Sequence, residues 1–152
     1  MKRVKDYMYR DITSVNESSS LRRVIQTMKL HRMSAVPVVD HQGHYVGCIT
    51  ARDILNASVP EYMKSISNTS FMANLDQITI HLRSILDESA GKFIDKNCIS
   101  VSPNDTMSYA ADLLYRYKRT ILPVIDGKIQ VGWIHKIDIL CVSFDDENGY
   151  RK

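Results

Sequence analysis

At Gly47-Cys48-Ile49-Thr50-Ala51-Arg52-Asp53 an apolar run gives way to helix-forming residues, and the residue types at that junction suit an anion. Free backbone N–H groups at the start of a helix, together with the helix dipole, favour phosphate. The Thr50 hydroxyl can add a donor, and the Asp53 carboxylate one turn on can accept from a pair of ribose hydroxyls. Spelled as GxxTxxD alone, the signal is weak. Thr50 and Asp53 also have the spacing of a helix N-cap and its capping-box partner, and that reading is in part compatible with ligand contact.

Other chemistry is sparse. The chain contains no GxSxG, no P-loop and no HExxH, and no cysteine and histidine support one another locally, so no catalytic residue is expected. His41 and His44 flank a turn at a metal-like interval but lack a third ligand, and His31 and His81 have no partners in sequence; no metal site is expected. Tyr7, Tyr9, Tyr109, Tyr115 and Tyr117 lie among Arg and Lys, as residues that stack on nucleic acid do, yet they read more simply as interface and core aromatics.

Composition narrows the class. With 152 residues, 44% of them hydrophobic, the chain can bury one sizeable core or two half-size units. Its net charge of +3 is spread along the chain, too weak an excess to argue for nucleic acid or membrane. Cys48, Cys98 and Cys141 are far apart and form no CxxC, so neither a disulfide framework nor a zinc cluster is written there, and a reducing compartment is the natural reading. MKRVKDYMYRD is followed by no signal-like apolar run and no segment approaches a membrane span, which leads to the expectation of a soluble cytoplasmic protein.

The elements that must position the junction occur twice. With Val15 set over Val101, ITSVNESSSLRRVIQTMKLHRMSAVPVVD runs without a gap over CISVSPNDTMSYAADLLYRYKRTILPVID. After one residue drops out, HQGHYVGCITARDIL meets GKIQVGWIHKIDIL, so that Gly47 falls on Gly132 and Asp53 on Asp138. A single-residue indel between two apolar runs is what a hairpin turn tolerates.

Each copy predicts a short extended stretch (Ile12 to Val15; Cys98 to Val101) and then a helix over 21–32 or 107–118. The stripes Leu21, Val24, Ile25, Met28 and Met107, Ala110, Ala111, Leu114 have core spacing. A β-branched strand with a Pro suited to a strand start or edge follows, then a turn, a second strand, and a helix from Ala51 or Lys136. The unit is strand, helix, strand, strand, helix. Between the copies, Pro60 and the Ser and Asn around 65–70 read as linker, and Leu75 to Leu86 as a helix or two short elements; Lys92 to Asn97 parallels Asp6 to Asp11 as a lead-in. The division expected is 1–59, an insert 60–91 that is partly helical, 92–144, and a tail 145–152.

From the apolar-Pro-Val-Val-Asp strand through the hairpin to GxxTxxD, the pattern resembles the cystathionine β-synthase (CBS) domain, twice over. The resemblance implies an α+β fold of two pseudo-symmetric units packed through their sheets, with two nucleotide clefts between the copies. It implies that Thr50 meets phosphate, Asp53 ribose and Arg52 phosphate in a first cleft whose adenine slot is lined by Cys98, Thr120, Ile121 and Leu122. A second cleft would use Asp138, with Ile12, Ser34, Ala35 and Val36 around the base. Here His135 replaces the expected Thr or Ser; beside Lys136 it could meet a more highly charged phosphate tail, or the site could be degenerate, and the first cleft is expected to be the better one.

The function implied is a regulatory module that binds AMP, ADP, ATP or S-adenosylmethionine, catalyses nothing, requires no cofactor, forms a homodimer and acts on a partner protein. The alternative is an interaction module with vestigial clefts.

Overall fold

The computed structural model describes residues 1–59, 75–95 and 98–148, the side chains of 146–148 excepted. The chain forms two compact units, one of Ser14–Lys96 and one of Met1–Thr13 with Asn97–Lys152. The compact units thus differ from the sequence repeats, because the first thirteen residues group with the second copy.

In the unit of residues 14–96, β1 (Val15–Asn16) precedes α1 (Leu21–His31), β2 (Ala35–Val39), β3 (Tyr45–Thr50), α2 (Ala51–Ser58) and α3 (Leu75–Ile85). The three strands form one sheet in the order β1-β2-β3, parallel between β1 and β2 and antiparallel between β2 and β3. Ser20 caps α1 by accepting from the Arg23 N–H. The spacing of Leu21, Val24 and Met28 lays one face of α1 on Val36, Val38 and Ile49 of the sheet and on Ile54 of α2. Leu75–Ile85 is thus one helix, not two short elements, and Ile78 on it packs with Val59. The linker read at Pro60 and residues 65–70 lies outside the described residues.

The other unit repeats the plan with α4 (Met107–Arg116), β4 (Ile121–Asp126), β5 (Ile129–His135) and α5 (Lys136–Asn148). Val4, Met107, Ala110, Leu114, Leu122, Val124 and Ile134 form its core. The strand expected at Cys98 to Val101 shrinks to a single parallel bridge, Val101 to Val124, the counterpart of Val15 to Val38. Both hairpins bulge at one place, between Val38 and Val39 and between Val124 and Ile125. Pro37 and Pro123 sit inside their strands rather than at an end; Pro123 still serves the sheet through its carbonyl, which accepts the Val101 N–H at 3.1 Å.

The two lead-ins follow the same rules. In one unit the Val4 N–H donates to the Asp105 carbonyl, the Lys5 N–H to Pro103 and the Met107 N–H to Lys2, all at 2.9–3.0 Å. In the other, the Ala90 N–H donates to Ser19, Gly91 to Glu17 and Leu21 to Glu88 at 2.7–2.9 Å. Each lead-in therefore satisfies orphan groups at a helix start, and Val4 and Ala90 are both fully buried there. These bonds come from residues 2–5 and 88–91, just ahead of the segments Asp6 to Asp11 and Lys92 to Asn97 that the sequence sets in parallel, and nothing in the sequence says which helix cap each one serves.

One expectation is corrected. Tyr9, Tyr109, Tyr115 and Tyr117 are not core: their relative exposures are 61%, 48%, 87% and 51%. Tyr115 and Arg116 end α4 and Tyr117 and Lys118 follow it, all four exposed, while helical spacing leaves Leu113 and Leu114 to the core. Cys141 carries a free thiol.

Candidate functional site

β3 runs into α2 without a loop, and Thr50 is both the last strand residue and the N-cap of the helix. Its extended backbone (φ −103°, ψ 155°) turns the hydroxyl back over the first turn, where it accepts the Asp53 N–H at 3.1 Å. Asp53 Oδ2 in turn accepts the Thr50 N–H at 3.0 Å and the Thr50 hydroxyl at 2.7 Å. A complete capping box is therefore present, as the Thr-x-x-Asp spacing allowed. It occupies Oδ2 and holds Asp53, partly buried, in one position. Thr50 is buried and Arg52 exposed.

Within the same unit Ala35 pairs with Thr50 and Val36 with Ile49, and the Ser34 carbonyl accepts the Ala51 N–H at 2.8 Å. The structure thus brings Ser34, Ala35 and Val36 beside Thr50, Arg52 and Asp53. In the other unit Ile121 pairs with His135 and Leu122 with Ile134, and the Thr120 carbonyl accepts the Lys136 N–H at 3.0 Å. Thr120, Ile121 and Leu122 therefore lie beside His135, Lys136 and Asp138. Ile12, 68% exposed, and Cys98 belong to that second unit.

Asp138 keeps half of the capping box: its Oδ2 accepts the His135 N–H at 2.8 Å, as Asp53 accepts that of Thr50. The hydroxyl is replaced by an imidazole whose Nδ1 lies 3.6 Å from the same oxygen, an ion pair when the ring is protonated.

His44 Nδ1 lies 4.0 Å from Asp40, and the Asp40 carboxylate is held below its ordinary range, chiefly because it accepts the His44 backbone N–H. Burial, and then the charge of Asp95, push the Tyr45 phenol well above its ordinary value. Among the described residues no three His, Cys, Asp or Glu side chains converge on a point that could hold a metal ion, and no helix is long and apolar enough to cross a membrane.

Sequence comparison places these features in a family. The CBS domain matches this chain twice, over residues 4–60 and 90–145. The CBS domain-containing protein YhcV of Bacillus subtilis is 22% identical over 148 residues, covering 97% of this chain and 90% of that protein. An inosine-5'-monophosphate dehydrogenase of Thermoplasma acidophilum is 38% identical over 52 residues, which make up 34% of this chain and 11% of the enzyme. The chain spans between 11% and 33% of the first curated relatives it matches.

Among solved structures, the CBS domain of a CBS domain containing membrane protein from Sphaerobacter thermophilus is 26% identical with a TM-score of 0.67, covering 92% of this chain and 86% of that one. CBSX2 in complex with AMP is 18% identical with a TM-score of 0.70, covering 97% and 100%. Two matches of one family take in more than half of the chain, each spanning a lead-in, a hairpin and the helix that starts on Thr50 or His135. The chain belongs to the CBS domain family, of which it carries a tandem pair.

Proposed function

We propose that the chain is a cytoplasmic regulatory module that binds an adenine nucleotide and passes the binding event to a partner protein. The observation that carries this reading is the junction at Thr50. A helix start with a fixed carboxylate one turn on, in a chain of the CBS family, is matched to ribose and phosphate. The AMP complex of a structural relative supports the ligand class. Thr50 and Arg52 take phosphate, Asp53 takes ribose, and Cys98, Thr120, Ile121 and Leu122 line the adenine slot, as the family resemblance implies. Because its hydroxyl is engaged with Asp53, Thr50 donates to phosphate only by turning. The weaker site uses Asp138, His135 and Lys136 with Ile12, Ser34, Ala35 and Val36.

The chain itself catalyses nothing in this reading and needs no cofactor or metal; AMP, ADP, ATP and S-adenosylmethionine are the candidate ligands. It works as a homodimer, and its output depends on how differently a ligand favours two arrangements of the protein. Isothermal titration with AMP, ATP and S-adenosylmethionine, without added metal, tests the proposal. Saturable binding of one ligand near one per chain is expected, lost with Asp53→Ala and less affected by Asp138→Ala. Silence from all three ligands would favour the interaction-module reading, and a larger effect at Asp138 would invert the ranking of the sites.

A further inference from the structure

The repeat-related helices α1 and α4 lay matching apolar faces on their sheets but turn different chemistry outward. Between Glu17 and Asp40 the chain holds no acid, and the cations of that stretch, Arg22, Arg23, Lys29 and Arg32, are all exposed. Arg22, Gln26 and Lys29 follow one row of the helix surface and Arg23 and Leu30 the next, so that Leu30 stands amid the cations. In α4 the positions of Arg23, Gln26 and Lys29 hold Tyr109, Asp112 and Tyr115. Arg116, where α1 has Leu30, is neutralised by Asp112 Oδ2 at 3.0 Å. One copy of the scaffold thus does without the cationic face, and the fold does not require it.

Nor does the face serve α1 itself. Cations in the first turn oppose the helix dipole. Arg22 has only a loose, exposed partner in Asp87, 3.5 Å away, and among the described residues no hydrogen bond or ion pair holds the side chain of Arg23, Lys29 or Arg32. Leu30 is 78% exposed, and among the described residues only Met1 and Tyr115 leave more of a large apolar side chain in water. The cations fit an acidic partner, and Leu30 decides which kind. A phosphate backbone offers a leucine nothing to pack against, whereas a protein surface can bury it as an anchor inside a charged rim.

We propose that the outward face of α1 is the docking surface for an acidic protein segment, with Leu30 as its apolar anchor and Arg22, Arg23 and Lys29 around it. The proposal rests on the reading above that the chain acts through a partner protein. Its test is fluorescence anisotropy with two labelled probes, a peptide of glutamates around a single leucine and a single-stranded DNA oligonucleotide of the same net charge. Both are titrated with the full chain and with Gln26→Asp and Leu30→Arg, which import the residues that α4 carries at those positions. Both sites are exposed, so both variants should melt with the parent. The parent should bind the peptide saturably and more weakly at high salt. Leu30→Arg should weaken that binding about tenfold although it adds a cation, and Gln26→Asp should weaken it by bringing an acid onto the face. Unchanged or tighter peptide binding by Leu30→Arg means that charge alone is at work and overturns the assignment, as does an oligonucleotide bound more tightly than the peptide or a parent that ignores the peptide. Titration of both variants with AMP should match the parent, and a parallel loss of AMP affinity would put α1 in the nucleotide site and overturn the docking surface. A parent that takes the peptide but no nucleotide supports the surface while removing the nucleotide reading.

Discussion

In one unit the helix after the hairpin starts on Thr50, with hydroxyl, backbone N–H and Asp53 carboxylate closed into a ring of three hydrogen bonds. In the other it starts on His135, and the Asp138 carboxylate keeps its bond to the backbone N–H but faces an imidazole instead of a hydroxyl. Around this difference almost everything is equal, including strand register, bulge position, lead-in hydrogen bonds and buried valines. A duplicated scaffold that retains its packing while changing one helix start separates what holds the fold from what is free to specialise. Packing residues answer to every neighbour they touch, whereas the first residue of a helix answers to a cap and to whatever binds there.

The largest effects should come from the glycines that both copies retain. A Cβ on Gly132 would collide with the carbonyl oxygen of Tyr9, and one on Gly47, at φ 152°, with the Cγ2 of Ile94. Either Gly→Ala change should cost about 2–4 kcal/mol, read as a loss in denaturation midpoint. The partners then break the symmetry. Ile94→Ala removes the obstructing methyl and should recover part of the loss in Gly47→Ala. Tyr9→Ala leaves the main-chain oxygen in place and should recover none in Gly132→Ala. Equal rescue in both units would mean that the lead-in moves as a body and that the backbone contact is not what fixes it.

Much of this frame is legible in the sequence. Leu21, Val24 and Met28 announce a buried helical face, and the Pro, Gly and Asp positions align the copies, because periodicity and turn chemistry are local properties. The capping box could be read from Thr50 and Asp53 for the same reason. What could not be read is long-range. Tyr115 and Tyr117 are on the solvent side because Leu113 and Leu114 take the inward positions, where they meet strand residues far along the chain such as Leu122 and Val124. Docking of the first residues on the start of α4 depends on hydrogen bonds between segments about a hundred residues apart, as in Arg3 to the Asn104 carbonyl at 2.7 Å. The left-handed positions at Arg32 and Lys118 leave no trace in residue type, since the usual Gly or Asn is absent.

A smaller effect should follow from exchanging the helix starts. Thr50→Ala should cost about 1 kcal/mol through loss of the cap, and His135→Thr should add up to about the same by completing a second capping box. Thermal denaturation reads both, and titration with AMP tells whether the restored cap also improves nucleotide binding in the second unit. If His135→Thr raises stability without affecting binding, the difference between the units is one of capping alone. If it does neither, the imidazole near Asp138 already does what the hydroxyl does at Asp53.

The smallest difference lies in the hairpin turns and should appear only in acid. Asp40 Oδ1 accepts the backbone N–H groups of Gln42 and His44, each at 2.9 Å, and these bonds, the one from His44 foremost, hold its carboxyl below the ordinary value of 3.8. Because the folded value is the lower one, the ionised carboxylate contributes stability above the unfolded pKa, and that contribution is lost as pH falls through the folded value. The other hairpin turns on Gly127 and Lys128, and its glycine supplies the backbone conformation itself. Hydrogen exchange of the Gln42 and His44 amides should therefore lose protection relative to the Ile129 amide as pH falls from 6 to about 3, after correction for intrinsic rates. Asp40→Asn keeps an acceptor that does not titrate and should make the two turns respond alike. Parallel loss of protection in the parent protein would mean that acid acts on both units through some broader change and not through this carboxylate.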